Sequence, residues 1–534
     1  MTDVRRVVQA LRTLVWAHTV LGSSPHRIRA WQRASDVFER WNQGELADAL
    51  HSGRLKATAG VGKSTLALVQ DVIDGDESVA LREVRQQLPE SLFALRRVRG
   101  LGPKRTAALY NGLGVTSLAE LAYACHENRL VTLPGFGPTL QDRVARECAR
   151  IQAESNLFRR DQAHIAFVQL RVQHPDVVLV GALRRGHELV DGVDVLSGEP
   201  LEPQQAAIPV TVHVGEPSAI RRWWQTAAID HRKAVVAHAA RRGLRLSESG
   251  LMQKRKALDV PTTDALYELL GLTPLPEERW EGATLSVGQH RPRLVQRKDL
   301  RGALHNHTTA SDGSGTAEQM REAAAQRGLE WLHISDHSHS AHYAGGLDAD
   351  RLAEQVRTLR TLPAHACHLF TGVEADILHD GQLDHPTEVL AQVDVVIASI
   401  HDRRRQSGDV LTDRLCCAAE HAHVIGHPTG RLLLGRPAAD IDMERLLKTC
   451  VQTGCALELN ANPHRLDLSA EHAAMAKEAG VLVSIAADAH APHELSNLDH
   501  GIAVARRAGL TPDDVVNTRT TAELQEWASG RAFG

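Results

Sequence analysis

The stretch Leu304-His305-Asn306-His307-Thr308-Thr309-Ala310-Ser311-Asp312-Gly313 joins the end of an apolar run to a loop dense in metal-binding side chains. It is the first of a series. Apolar, often β-branched runs recur at about 301–304, 331–335, 368–373, 393–400, 422–426, 455–459 and 481–487, most of them followed by Ala-, Leu- and Glu-rich helical segments. Seven strand-then-helix units predict a parallel α/β barrel. At or just beyond the strand ends stand His305, His307 and Asp312, then His337 in ISDHS, Glu374 in TGVEADIL, His401 in ASIHD, His427 in GHPTGR, and Asp488 with His490 in AADAH. The C-terminal rim of a parallel barrel faces one cavity, so these nine residues are expected to converge although almost 200 positions separate the first from the last.

Nine nitrogen and carboxylate ligands exceed what one ion can use. With three or four protein ligands each, and a carboxylate able to bridge, they suit two or three ions a few ångströms apart. Such ions acidify water near neutral pH and stabilise the attacking and leaving oxygens of a phosphoester. One HxH alone is a weak signal; nine ligands at consecutive strand ends are a strong one. Other histidines of this half, such as His365, His368, His379, His421, His423 and His472, are assigned to solvated loops or helix faces.

Composition fits this reading. Of 534 residues, 43% are apolar and 24% charged, which excludes collagen-like and disordered classes, and the net charge of −4 names no partner. That average hides a split: residues 1–160 carry 23 Lys and Arg against 16 Asp and Glu, while 19 of the 30 histidines fall after residue 300. Seven cysteines, odd in number and without a CxxC pair, suggest neither a disulfide framework nor a thiolate zinc site, and fit a reducing cytoplasm. The N-terminal MTDVRRVVQALRTLVWAHTVLG is interrupted by polar residues and reads as an amphipathic helix, and no stretch reaches the 18 or so apolar residues needed to span a bilayer.

In the basic front, three segments share a glycine-apolar-glycine pattern between helix-like runs: Gly60-Val61-Gly62-Lys63, Gly100-Leu101-Gly102-Pro103-Lys104 and Gly135-Phe136-Gly137-Pro138. Their spacing of 40 and 35 residues predicts an array of helical hairpins. A phosphate-loop reading of Gly60 to Ser64 fails because residue 57 is Ala. Apolar runs at 177–181 and 208–214 read as strands, residues 217–270 as helix, and the proline-containing polar segment 276–299 as a linker.

HNHTTASDG, SDHS, GVEADIL, SIH, HPTGR, ELNANPHRLDL and DAH resemble, in order, the motifs of the PHP (polymerase and histidinol phosphatase) domain, most closely the version at the C-terminus of bacterial family X DNA polymerases. The resemblance implies a distorted seven-stranded barrel with a trinuclear centre. His305, His307, Glu374 and Asp488 would hold one ion, Glu374, His401 and His427 a second, and Asp312, His337 and His490 a third. Manganese or zinc is implied, with 3'-5' exonuclease or related DNA-end phosphoesterase activity. Asp488 and Glu374 would fix the ions, and Arg431, ahead of Arg403, Arg404, Arg405 and Arg465, would hold substrate phosphate.

The glycine hairpins resemble helix-hairpin-helix motifs, which imply DNA binding without base specificity through Gly60, Gly62, Lys63, Gly100, Gly102, Lys104, Gly135 and Gly137. PHRIRAWQRASDVFER, and GALRR followed by ELVDGVD, resemble the N-terminal domain and palm of family X polymerases. The implied organisation is a helical N-terminal domain at 1–85, a hairpin domain at 86–160, a shortened palm and thumb-like region at 161–275, a linker at 276–299 and the PHP domain at 300–534. The palm departs from its family. Gly192 and Asp194 take the DxD positions, Thr211 the place of the third Asp, and Ala182, near Arg184, that of the triphosphate-binding Ser. Only about 15 residues join Asp194 to the next strand, and Leu68 stands where a lyase lysine is expected. The expected protein is therefore a metal-dependent DNA phosphoesterase with a degenerate polymerase front and no magnesium at the palm. The alternatives are an active gap-filling polymerase with a PHP exonuclease, or a non-catalytic DNA-end-binding protein.

Overall fold

The computed structural model describes residues 3–76, 78–152, 156–201, 208–288, 291, 293–401 and 406–530. Two compact units emerge, Met1–Ile151 and Gln152–Gly534. The first is helical. Its three glycine segments share one geometry: a 3-10 turn (Arg54–Ala57, Glu90–Arg97, Arg129–Thr132) leads to a left-handed glycine, Gly60, Gly100 or Gly135, with φ of 92°, 94° and 83°. Only glycine adopts that backbone without strain. The next residue, Val61, Leu101 or Phe136, is buried, and the second glycine begins a helix (Lys63–Asp74, Pro103–Leu113, Pro138–Gln152). Leu11 and Leu14 of the first helix share one apolar core with Leu68, Leu92, Leu109 and Val144. That core runs across the expected boundary at residue 85.

The second unit opens with a small sheet of β1 (Val178–Val180), β2 (Val193–Ser197) and β3 (Val210–Val214), in which β2 pairs antiparallel with β1 and parallel with β3. Residues 217–270 are not all helical as expected. Between the helices Ile229–Arg241 and Thr263–Leu269 lies an antiparallel three-stranded sheet over residues 244–258, in which Leu244, Leu246 and Leu251 are buried. Its alternation spans too few residues to stand out beside the Ala- and Arg-rich helix before it. Nor does 276–299 behave as a linker. Trp280 is buried among Tyr267 and Leu270, Val295 belongs to the barrel core, and Glu278 pairs with Arg506 at 2.8 Å.

The seven expected strands all form and close into a parallel barrel. They are β4 (Gly302–Asn306), β5 (Trp331–Ile334), β6 (His368–Asp376), β7 (Val395–Ser399), β8 (Val424–Ile425), β9 (Ala456–Asn460) and β10 (Val483–Ala489), each paired with its neighbour in sequence, with β10 returning to β4. Alternate residues point inward and outward along a strand. Outward Leu332, Val373, Val396, Leu457 and Ile485 pack under the helices. Inward Leu304, Trp331, Phe370, Val395, Ile397, Val424 and Ala456 fill the floor, together with Leu524 and Ala528 of the C-terminal helix Thr521–Ser529. The interior therefore changes from apolar at one end to polar at the other, along the same strands.

Candidate metal centre

On β6 the inward positions after Phe370 are Gly372, Glu374 and Asp376. Gly372 is required because a Cβ there would lie 1.8 Å from the His333 ring. Above it, the buried Glu374 carboxylate is the hub. Its Oε1 lies 3.3 Å from His305 Nε2, 3.4 Å from His401 Nε2 and 3.1 Å from His427 Nε2. Its Oε2 lies 2.9 Å from His337 Nδ1 and 3.7 Å from His307 Nε2. Asp488 Oδ1 stands 3.4 Å from His307 Nε2 and 3.9 Å from His305 Nε2, and Asp312 lies 3.6 Å from His337 Nε2 and 3.4 Å from His490 Nε2. All nine expected ligands are thus brought together.

Strict alternation along β4 would set His305 beside outward Ala303. Its left-handed backbone, φ 58°, breaks the alternation and admits the ring to the cavity. His427 (φ 27°) and Asp488 (φ 48°) also adopt left-handed conformations. Such backbones cost about 1–3 kcal/mol each in non-glycine residues and cluster at functional sites.

The residues fit divalent ions. His305 Nε2, both ring nitrogens of His307, Asp312 Oδ2 and His337 Nδ1 are buried yet make no hydrogen bond, which would be costly unless a cation occupied the space between them. Three groups offer ligand atoms within 4.8 Å of one another: His307, Asp312, His337 and His490; His305, His307 and Glu374; and His337, Glu374 and His401. Glu374, His307 and His337 each belong to two groups, so the three expected sets merge, and His427 meets the centre through Glu374.

Electrostatics agree. Burial resists charging the His305 ring, but Glu458, Glu374 and Asp488 outweigh it and hold its pKa well above the ordinary value. Burial likewise pushes Glu374 and Asp488 up, and the surrounding rings, His305 first, bring both well below the usual carboxylate range. His401 is pushed up to about 9, with Glu374 and Asp376 overcoming its burial. His307 is lowered, by burial and then by its neighbours His490 and His337.

Two supporting carboxylates were not foreseen. Glu458 Oε2 accepts a hydrogen bond from His305 Nδ1 at 2.6 Å, and Asp376 makes a short bond to His401 Nδ1. Both lie in the segments GVEADIL and ELNANPHRLDL, but they reach the centre only through a histidine; a carboxylate at an inward strand position is the signal that would have found them. His423, expected at a solvated surface, is buried, with its rings bonded to Val396 N and Ala528 O.

Arg431 needs correction as a phosphate-holding residue. Its guanidinium is bonded to Glu188 at 3.1 Å and to the carbonyls of Arg465 and Leu466, which leaves it holding loops together. Arg465 is better placed, buried with Nε 3.8 Å from Asp488 Oδ2. Arg403, Arg404 and Arg405 lie outside the described residues.

In the front unit Lys63 and Lys104 are exposed in the first turns of their helices. In the palm-like sheet Asp194 is level with Thr211 and bonds His213 Nε2 at 3.2 Å, while Asp191 is exposed outside the strands. Gly181 leaves room for Asp194, whose carboxylate would lie 2.3 Å from a Cβ there, and a Cβ at Gly192 would press on the Pro209 carbonyl. Ala182 and Arg184 lie in the turn Gly181–Arg184, and Arg184 forms a close pair with Glu277. Leu68 is buried.

Residues 303–462 match the model of the PHP domain, and residues 93–150 that of the SAM-like helix-hairpin-helix tandem. Over 97% of its length the chain is 29% identical to the "DNA polymerase/3'-5' exonuclease PolX" of Bacillus subtilis, covering 98% of that protein. The chain is thus similar, along nearly its whole length, to a family X polymerase that carries a PHP domain. Part of it, 40% of the length, is also 30% identical to a "probable phosphatase" of Thermoanaerobacter, covering 89% of it. A crystal structure of histidinol phosphate phosphatase from Lactococcus lactis, with zinc, L-histidinol and phosphate, is similar at 16% identity and a TM-score of 0.32, covering 39% of this chain and 94% of that one.

Proposed function

We propose that this chain is a metal-dependent phosphoesterase acting on DNA, a 3'-5' exonuclease or 3'-end processing enzyme of repair. The observation that carries the reading is the convergence of nine imidazole and carboxylate side chains on Glu374 at the polar mouth of the barrel. Two or three divalent ions, manganese or zinc, would supply Lewis acidity and neutralise charge on the attacking and leaving oxygens of a phosphodiester. His305, His307, Glu374 and Asp488 would hold one, Glu374, His401 and His427 a second, and Asp312, His337 and His490 a third. Glu374 and Asp488 would hold the ions in register, and Arg465, with Nε 3.8 Å from Asp488 Oδ2, would offer a cation to a phosphate oxygen. The names of the relatives support this reading: one is a polymerase and exonuclease, the other a probable phosphatase.

The front unit is read as the DNA-holding part. Three left-handed glycines each lead into a helix start, with exposed Lys63 and Lys104 beside two of them, an arrangement suited to phosphates of any sequence and hence to gaps and 3' ends. Among the described residues no helix is long and apolar enough to cross a membrane. Free cysteines and a DNA substrate favour the cytoplasm.

The palm is read as reduced. One carboxylate of its DxD is missing, Asp194 is engaged by His213, and the arginine after Ala182 is held by Glu277. The name of the Bacillus relative favours the second reading, a working polymerase. Gapped DNA with manganese, with and without dNTPs, separates the two: shortening of the 3' end without dNTP incorporation is expected. Incorporation abolished by Asp194→Asn would establish the polymerase, and absence of any released nucleotide or phosphate would defeat the phosphoesterase.

A further inference from the structure

Of the nine candidate ligands, only His305, His427 and Asp488 have left-handed backbones. All three lean on the same two side chains. Ala456, Glu458 and Asn460 are the inward column of β9, climbing from the apolar floor to the ligands. Glu458 Oε2 accepts from His305 Nδ1 at 2.6 Å, and its Oε1 accepts from the backbone N–H of His427 at 3.1 Å. Asn460 Nδ2 donates to Glu458 Oε1 at 2.8 Å and to Asp488 Oδ2 at 2.9 Å, while Asn460 Oδ1 is fixed by the N–H of Asn462 at 3.0 Å. Glu458, Asn460 and Asn462 are buried.

We propose that Glu458 and Asn460 form a positioning pair that sets how tightly the centre holds its ions. The inference rests on reading the centre as a metal site. A proton kept on His305 Nδ1 by the Glu458 carboxylate leaves the lone pair on Nε2, the nitrogen that faces Glu374. The bond to His427 N–H and the bond through Asn460 to Asp488 Oδ2 hold the other two strained ligands, and leave Asp488 Oδ1 directed at His305 and His307. Strained backbone persists only where its surroundings over-determine it. The pair supplies that constraint from a single strand.

Glu458→Gln keeps the shape and defeats the chemistry. If its amide oxygen faces His305, its NH2 meets the N–H of His427 and the NH2 of Asn460, donor against donor. If its NH2 faces His305 Nδ1, the ring proton moves to Nε2 and the ligand lone pair is lost. Both orientations weaken the ion.

Manganese binding to the full chain, measured by calorimetry, with ion stoichiometry by elemental analysis after desalting, tests the proposal. Wild-type binding is expected to fall about 10- to 100-fold in Glu458→Gln, with loss of at least one retained ion. Circular dichroism in EDTA should keep the wild-type shape, while Tm falls because the amide leaves buried donors unpaired, so the loss of affinity is read on folded protein. Asn460→Ser, which removes the amide bonds to Asp488 and Glu458 Oε1 but leaves the Glu458 bonds to His305 and His427, should show a smaller fall. Affinity within two-fold of wild type and unchanged stoichiometry in Glu458→Gln would overturn the proposal; if that variant does not fold in EDTA, the same result in Asn460→Ser overturns it. Wild-type protein that takes up no manganese or zinc would refute the metal reading itself. A loaded protein that hydrolyses no phosphoester would refute the proposed function and leave the positioning result standing.

Discussion

The barrel mouth and the palm-like sheet each gather carboxylates and basic side chains, with opposite outcomes. In the sheet and its surroundings the groups satisfy one another: Asp194 meets His213, Arg185 and His187 share Glu281 with Arg507, and Arg184 is taken by Glu277. At the barrel mouth five buried ring and carboxylate atoms make no hydrogen bond, and three ligands adopt strained backbones. A site for a cation has to leave donor atoms uncommitted in the protein itself, whereas the palm-like sheet closes its charges into pairs. The contrast is one of bonding rather than composition.

The largest break in that comparison should come from Glu374→Gln. It removes the carboxylate shared by the ligand groups, and 3'-end release on a labelled primer-template should fall by more than about 100-fold, beyond what the loss of an outer-shell partner costs. A variant with wild-type turnover would remove Glu374 from the centre. Stripping metal comes next. Each ion present at 100 times its Kd adds about 2.7 kcal/mol to the folded state, so dialysis against EDTA should lower the Tm of the barrel and manganese should restore it. An unchanged Tm would argue that the uncommitted atoms hold nothing.

Asp194→Asn sharpens the other side. It should leave both dNTP incorporation, expected to be absent, and 3'-end release at wild-type levels in a gap-filling assay. In the front unit, Lys63→Ala with Lys104→Ala should weaken duplex binding equally on all sequences and reduce the salt slope of log K by about 2; a sequence-dependent loss would exclude backbone contact as their role.

The smallest effect concerns acid. Burial raises Glu278 and Glu281, but Arg506 for the first, and His187, Arg507 and Arg185 for the second, outweigh it and leave both below the usual carboxylate range. Groups lowered in the folded state contribute stability that is complete above about pH 4.5 and is lost as pH falls through the folded value. Glu281→Gln should therefore lower Tm at pH 8, where the contribution is complete, and flatten the decline of Tm below pH 4.5.

Much of the barrel was legible because its inward and outward runs are long and its ligands sit at or just past their ends. Gly60, Gly100 and Gly135 were legible because few residues accept their backbone. The roles of Glu458 and Asp376 were not, since only closure of the barrel places each carboxylate against a histidine from another strand. The sheet at 244–258 escaped for want of length. The fate of Arg431 depended on Glu188, a partner 243 positions away, which no local pattern reveals. Similarly, the left-handed turn at His305 is a consequence of what the ring meets across the cavity, and the residue itself does not favour it.

The C-terminal helix has a consequence for traffic. Leu524 and Ala528 stopper the floor, Trp331 Nε1 is bonded to the carbonyl of Arg519, and His423 ties the same helix to β7 and β8. Among the described residues the floor end of the barrel is thus closed by apolar side chains. Under the proposed function, ions and a DNA end would come from the polar end, so a bound strand would shield the ions from chelators, and an idle centre would be the one most readily emptied.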